Sequence, residues 1–140
     1  MEFKLATKKD FEQFLPIKEE FLKDYHISRK TKEFIFREFQ EYLFKGAVVL
    51  AIESKNIIGY LAGEIEENSY ERLGYIGEIF VKKEFRSKGI STNLKDKFID
   101  FLKNKDISIC RIDVNPDNPA QESYKKWGFK IDKYRMNLKI

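Results

Sequence analysis

Residues Tyr75 to Leu94 read YIGEIFVKKEFRSKGISTNL, and the fold is decided by how this stretch is parsed. Its opening is a strand: Ile76, Ile79, Phe80 and Val81 are apolar or aromatic, and β-branched residues suit a pleated surface. A charged turn, KKEFRSKG, follows. Beyond it Ile90, Leu94, Phe98, Phe101 and Leu102 recur at the helical period on one face. A strand, a glycine-bearing turn and a helix start are the parts of an anion site, because the first N–H groups of a helix lack internal partners and lie at the positive end of its dipole; taken alone they equally describe an ordinary strand-to-helix turn with solvated lysines. Gly89 lets backbone approach a ligand with no Cβ in the way. Arg86 and Lys88 add positive charge beside it.

Downstream, the helix is expected to end near Asn104, and Ile107 to Val114 reads as the next strand, parallel to the first through a right-handed crossover. Asn115-Pro116-Asp117-Asn118-Pro119 is turn chemistry, with Asn118 placed to cap a short helix that Pro119 opens and Gly128 ends. Phe129 to Leu138 is expected to form a final strand. Upstream, Ala47–Glu53 and Ile57–Glu66 read as a hairpin around Ser54-Lys55-Asn56, with Gly59 and Gly63 marking a bulge or a close backbone approach. Glu67 to Gly74 is a polar loop. Two helices precede the hairpin. One enters at Thr7–Asp10 and runs to Tyr25, with Pro16 predicted to kink or break it; the other runs from Lys32 to Lys45, with Gly46 as its C-cap. His26 to Lys30 is the turn between them, and Phe3 to Ala6 is an edge strand.

At 140 residues the chain suits one domain with a real core. Hydrophobic content of 42% and mixed charge of 36% fit a globular chain with a solvated surface. The net charge is +4; the segment Lys82 to Lys103, with seven basic and three acidic residues, carries an equal excess around the anion site. That charge admits phosphorylated partners without demanding nucleic acid. The aromatic residues follow helix and strand faces, so they read as core and not as an RNA-stacking platform. Cys110 cannot form an intramolecular disulfide and reads as a small buried hydrophobe. One Cys and one His lack the makings of a zinc site, so no metal is expected. No membrane span and no signal-peptide pattern is visible, which makes the cytoplasm the expected location.

Val81-KKEF-Arg86-SK-Gly89-Ile90-Ser91, followed by Asn118-Pro-Ala120, Tyr124 and Gly128-Phe129, resembles the two signature motifs of the GNAT superfamily of acetyl-CoA-dependent N-acetyltransferases. Ser87 and Ser91 stand where that family often has Gly, or Gly and Ala. The resemblance covers nearly the whole chain. It implies a mixed α/β fold with a mainly antiparallel six-stranded sheet flanked by helices and a β-α-β crossover at the cofactor site. It further implies that Arg86, Ser87, Lys88, Gly89, Ile90, Ser91 and Thr92 cradle the pyrophosphate of acetyl-CoA. Ile79, Phe80 and Val81 then pair with the pantetheine arm, a backbone N–H near Phe80 or Val81 polarises the thioester, and Asn118 contacts the arm. Tyr124 is the expected acid for the departing thiolate.

Glu78 and Asp113 are the candidate bases for the acceptor amine, alongside a water chain. The expected reaction is direct transfer in a ternary complex, since no Ser-His-acid or Cys-His set is visible. The acceptor is a small amine, a peptide N-terminus or a protein lysine, met by Tyr25–Thr31, by Glu66–Gly74 and by the final strands; Glu66, Glu67 and Glu71 offer negative charge there. The resemblance also implies a homodimer through the last strands. The competing reading is a non-catalytic acyl-CoA-binding or sensor module of the same fold.

Overall fold

The hairpin residues alternate, apart from one register shift at Ala51/Ile52, and that alternation divides the core in two. Val48, Leu50, Tyr60 and Ala62 face one side of the sheet with Phe11, Phe14, Ile17, Ile35 and Phe39 from two helices. Val49, Ala51 and Leu61 face the other, with Ile90, Leu94, Phe98 and Leu102 from a third. Period two in strands and 3.6 in helices produce this layering directly.

The computed structural model describes residues 1–140. Its elements are β1 (Glu2–Leu5), α1 (Phe11–Asp24), α2 (Lys32–Lys45), β2 (Gly46–Glu53), β3 (Asn56–Glu67), β4 (Arg72–Val81), α3 (Ile90–Asn104), β5 (Cys110–Ile112) and α4 (Gln121–Lys126). Short 3-10 turns lie at Lys8–Asp10 and Lys83–Phe85. The sheet order is β1-β2-β3-β4-β5. The first four strands are antiparallel neighbours, and β5 runs parallel to β4 after the α3 crossover.

Local signals place most boundaries. The Thr31 hydroxyl accepts from the Phe34 N–H and starts α2. Ser54 and Lys55 both take positive φ, as a tight two-residue hairpin turn requires. α1 continues through Pro16 without a break. The bond that Pro16 forgoes would have gone to the carbonyl of Glu12, which lies at an exposed position open to water.

One expectation holds with a different geometry and one is corrected. Gly46 is the C-cap of α2, its N–H bonding the Tyr42 carbonyl, but its φ of −169° is extended and not left-handed, and it opens β2. A Cβ there would run into the Gly63 carbonyl across the ladder. The sheet has five strands and not six, because Phe129 to Leu138 forms no strand. Its alternating residues Tyr134, Met136 and Leu138 are exposed. Alternation states that one face of a segment is apolar but not which edge will pair with it, and β5 pairs over only three residues.

The third helix lies close on the sheet because Gly63 and Gly74 have no side chains; a Cβ at Gly63 would enter the Phe98 ring, and one at Gly74 would meet Leu102. Gly63→Ala is expected to cost about 1–3 kcal/mol through overpacking. A urea-unfolding midpoint equal to that of the wild type would show that Phe98 does not press on β3.

Candidate active site

The register of β4 changes once. Ala62 faces Glu78 but Gly63 faces Ile76, so Gly77 is an extra, bulged residue. The bulge reverses which face the following side chains take. Ile76 lies in the cluster under α3, whereas Phe80 lies in the cluster under α1 and α2. Glu78 goes with Phe80, opposite Ile79 and Val81, as alternation predicts.

On that face Glu78 meets a built polar environment. Its Oε1 accepts from Lys18 Nζ at 2.6 Å and from Tyr60 Oη at 2.6 Å. Lys18 also pairs with Glu38 at 2.9 Å, and its side chain is only 5% exposed. Tyr42 completes the group. Its phenol is pushed well above the ordinary tyrosine value by burial and then by the Glu78 carboxylate, and Tyr60 is raised for the same two reasons. Both therefore remain donors. A void of about 10 Å³ lies among Lys18, Glu38, Tyr42 and Glu78, about the room one water takes.

The other candidate base, Asp113, follows β5. Its Oδ2 accepts from Tyr75 Oη at 2.9 Å and lies 3.9 Å from Arg135, and its side chain is 55% exposed. The Tyr75 phenol is pushed up to about 12 by burial and by that hydrogen bond. Tyr75 pairs across the ladder with Glu64 and precedes the bulge, so Asp113 and Glu78 both address the α1–α2 side of the sheet.

The bulge also ends the pairing with β5. The last pair is Ile76 with Ile112, while β4 stays on β3 as far as Val81. The N–H of Lys82 bonds the Ile58 carbonyl. By alternation Phe80 also turns its backbone toward β3, and the N–H groups of Ile79 and Val81 face the open cleft. Val81, not Phe80, therefore supplies the cleft-facing donor. The carbonyl of Val81 is already taken, by Arg86 Nε at 2.8 Å.

Arg86 departs from expectation. Besides the Val81 carbonyl, it pairs with Asp24 on α1 at 2.9 Å and lies 5.4 Å over the Phe80 ring. Its head group braces the strand end and not the loop beyond. In that loop Ser87 and Gly89 take φ of 63° and 78°. The first α3 bond is from Asn93 N–H to the Gly89 carbonyl, and the N–H groups from Ser87 to Thr92 have no partner within the protein. Successive backbone donors in such a turn form an anion-binding nest. No atom lies within 4 Å of where a Gly89 Cβ would stand, so the space before these donors is open. These residues fit a pyrophosphate, with Lys88 as the nearby free cation.

α4 docks on the same helix end. Trp127 Nε1 donates to Thr92 Oγ1 at 3.0 Å, so Thr92 offers its N–H to the nest while its hydroxyl serves the packing. Trp127 is half-buried and takes this bridging place. Asn118 Oδ1 accepts from the Ala120 N–H at 2.9 Å, closing the turn before α4. Tyr124 lies one turn before Trp127, with ring centroids 5.5 Å apart. Its phenol is raised by burial and then by the neighbouring Tyr25 phenol, so it stays protonated. The Cys110 thiol is pushed up to about 11 by burial, partly offset by Lys95, and is inert at neutral pH. No group of His, Cys, Asp and Glu side chains is arranged to hold a metal ion, and no helix is long and apolar enough to cross a membrane.

Residues 8–137 match the sequence profile of the acetyltransferase (GNAT) domain. The chain belongs to the GNAT acetyltransferase family. An uncharacterized N-acetyltransferase of Methanocaldococcus jannaschii is 30% identical over 132 residues, covering 89% of this chain and 58% of that protein. The chain thus spans little more than half the length of that relative. N-alpha-acetyltransferase 30 of Schizosaccharomyces pombe is 25% identical over 124 residues, 82% of this chain and 81% of the yeast protein. Among solved structures, a predicted acetyltransferase of Clostridium acetobutylicum with acetyl-CoA superposes with a TM-score of 0.82 at 22% identity, over 99% of this chain and 95% of that one. This likeness shows a shared GNAT fold. The motifs were legible in the sequence; Lys18, Glu38, Tyr42 and Tyr60 were not singled out, and only the oddity of a lysine on an apolar helix face marked Lys18.

Replacing Lys18 by Met leaves Glu78 without its cation and is expected to cost about 3 kcal/mol. Combining it with Glu78→Gln should restore much of that loss. Denaturant unfolding of the single and double variants checks this; purely additive losses would show that the two residues are not coupled.

Proposed function

We propose that this chain is an N-acetyltransferase that moves the acetyl group of acetyl-CoA directly to an amine acceptor in a ternary complex, with residues 1–140 acting as one catalytic domain. One observation carries the reading. The open edge of β4 at Ile79 and Val81 leads, through the Lys83–Phe85 turn, to the unpaired N–H groups from Ser87 to Thr92. A ligand with amides along an extended arm and a pyrophosphate at its end satisfies both surfaces, and coenzyme A has that form. Two relatives bear names of N-acetyltransferases, the uncharacterized one of Methanocaldococcus jannaschii and N-alpha-acetyltransferase 30 of Schizosaccharomyces pombe, which supports the transfer to nitrogen.

In this mechanism the pantetheine amides pair with Ile79 and Val81, flanking Phe80. The pyrophosphate takes the nest from Ser87 through Gly89, Ile90 and Ser91 to Thr92, with Lys88 adding charge. Arg86 contributes indirectly by holding the Val81 carbonyl and the strand end. Asn118 sets the entry of α4, which carries Tyr124. The neutral acceptor amine attacks the thioester carbon, the new C–N bond forms, and the oxygen takes on negative charge against the Val81 N–H. The C–S bond then breaks, the thiolate takes the Tyr124 proton, and the proton that the acylated nitrogen loses as it becomes the neutral amide restores the phenol. The proton of the acceptor ammonium leaves through the carboxylates of the α1–α2 face, directly to the half-exposed Asp113 or through water to Glu78.

Gly89→Trp fills the open space before the nest and is expected to abolish acetyl-CoA binding by calorimetry while the far-UV spectrum stays native. Undiminished affinity in that folded variant would overturn the loop assignment. Tyr124→Phe is expected to keep acetyl-CoA affinity and slow transfer about ten- to ten-thousand-fold. An unchanged rate removes Tyr124 from the mechanism, and binding without turnover on any amine favours the non-catalytic module.

A further inference from the structure

One chain of polar contacts leads from the β4 bulge to the surface of α2. Tyr60 Oη and Lys18 Nζ each donate to Glu78 Oε1 at 2.6 Å, and the same Nζ reaches Glu38 Oε1 at 2.9 Å. The inner members are buried, with the Lys18 side chain 5% and that of Glu78 11% exposed, whereas Glu38 is 34% exposed and meets water. Lys18, Glu38, Tyr42 and Glu78 also border the void of about 10 Å³. A buried water makes about three hydrogen bonds, and these groups can supply them.

Charge favours a proton in this group. Glu38, Glu64 and Glu78 all lie near enough to the Tyr42 phenol to help keep it protonated, after burial. Lys18 is the one ammonium in an ion pair with any of the three. An excess of carboxylates lowers the cost of taking up a further proton.

The proposed transfer also needs such a route. Acetylation of an ammonium acceptor releases one proton per turnover. Coenzyme A along Ile79 and Val81, with the acceptor before it, fills the front of the cleft. The chain through Glu78 opens behind the sheet, on α2.

We infer that Lys18 and Glu38 form the proton exit of this protein, carrying to the surface the proton that Glu78 receives. This rests on the reading of the chain as an N-acetyltransferase. Through water, Glu78 takes a proton from the acceptor ammonium: an N–H bond breaks and an O–H bond forms. Lys18 gives one of its three protons to Glu38 as it receives that of Glu78, and so remains an ammonium. Glu38 then releases its proton to bulk water. All three groups return to their starting charges, and the net change is one proton moved from acceptor to solvent.

The test is turnover by the full chain. The wild type is first assayed with acetyl-CoA and spermidine, lysine, glutamate or a pentapeptide with a free N-terminus, and the best of these acceptors is kept. Glu38→Gln preserves the shape of the side chain and removes its capacity to take a proton. It is expected to lower kcat about ten- to a hundredfold, up to the low end of what a positioned proton carrier contributes. KM for the acceptor and the affinity for acetyl-CoA should not change. The solvent deuterium isotope effect on kcat should rise. Imidazole, a mobile carrier that titrates near neutrality, should restore the rate as its concentration increases, once its own reaction with acetyl-CoA is subtracted. Glu38→Asp keeps the carboxylate and should retain most of the rate. A wild-type kcat in Glu38→Gln overturns the inference. So does a loss that imidazole leaves in place, which would make Glu38 a structural brace only. Acetyl-CoA binding by the wild type without turnover of any of these amines would instead favour the non-catalytic module, and the exit would fall with the transferase reading.

Discussion

Ala62 and Gly63 on β3 stand opposite Glu78 and Ile76 on β4, and the residue left over is Gly77. Side chains alternate with a period of two, so one extra residue reverses the face of everything after it. Without the bulge Glu78 would share the face of Ile76 and point into the apolar cluster of Phe98 and Leu102. A carboxylate there would have no partner and would cost several kcal/mol. With the bulge it meets Lys18 and Tyr60. Glycine at the bulge leaves room for the Tyr42 hydroxyl, which a Cβ on Gly77 would displace. Pairing with β5 stops at Ile76, immediately before the same residue. The open cleft and the placement of Glu78 thus have one cause.

Lys18 is the second half of that arrangement. Burying an ammonium is expensive, and the attraction of one carboxylate seldom repays it. Here two carboxylates from different elements share the charge, Glu38 from α2 and Glu78 from β4. The Glu38 side chain is 34% exposed, against 11% for Glu78. The surface end of the group is therefore hydrated while its inner end relies on Tyr60. Well-packed apolar side chains could match such a group in stability. What they would not supply is direction: one ammonium fixes α1, α2 and the β4 bulge in a single geometry and holds Glu78 at the cleft.

The parts of this structure that depend on neighbours in sequence were legible there. The range of α2, the crossover through α3, the left-handed Gly89 and the turn that ends α4 at Gly128 follow from period, caps and glycine. The features that pair distant residues were not. Lys18 and Glu78 are 60 positions apart, and the place of Lys18 on an apolar helix face marks it as unusual without naming its partner. Glycines at Gly59 and Gly63 pointed to an irregular ladder; beside Gly59 the extra residue is Ile58 on β3 itself, whereas opposite Gly63 it is Gly77 on β4, and register is a property of two strands together. The final strand failed for a related reason: Tyr134, Met136 and Leu138 alternate correctly, yet a strand also needs an edge.

Arg86 shows that a motif residue can be committed to the strand end and not to the loop it adjoins. Its ion pair with Asp24 is 43% and 47% exposed, so salt and solvent reduce it to about 1 kcal/mol or less. Its bond to the Val81 carbonyl is partly buried and charge-assisted, and such bonds contribute about 1.5–3 kcal/mol. The second contact wins. It caps the last acceptor on the open edge of β4 and leaves the N–H of Val81 facing the cleft. A guanidinium can serve the carbonyl, the carboxylate and the face of Phe80 together because its donors diverge from one plane. A lysine ammonium in its place could keep one of these contacts and would release the strand end. On this account the arginine fixes the point from which the loop of Ser87 to Thr92 departs.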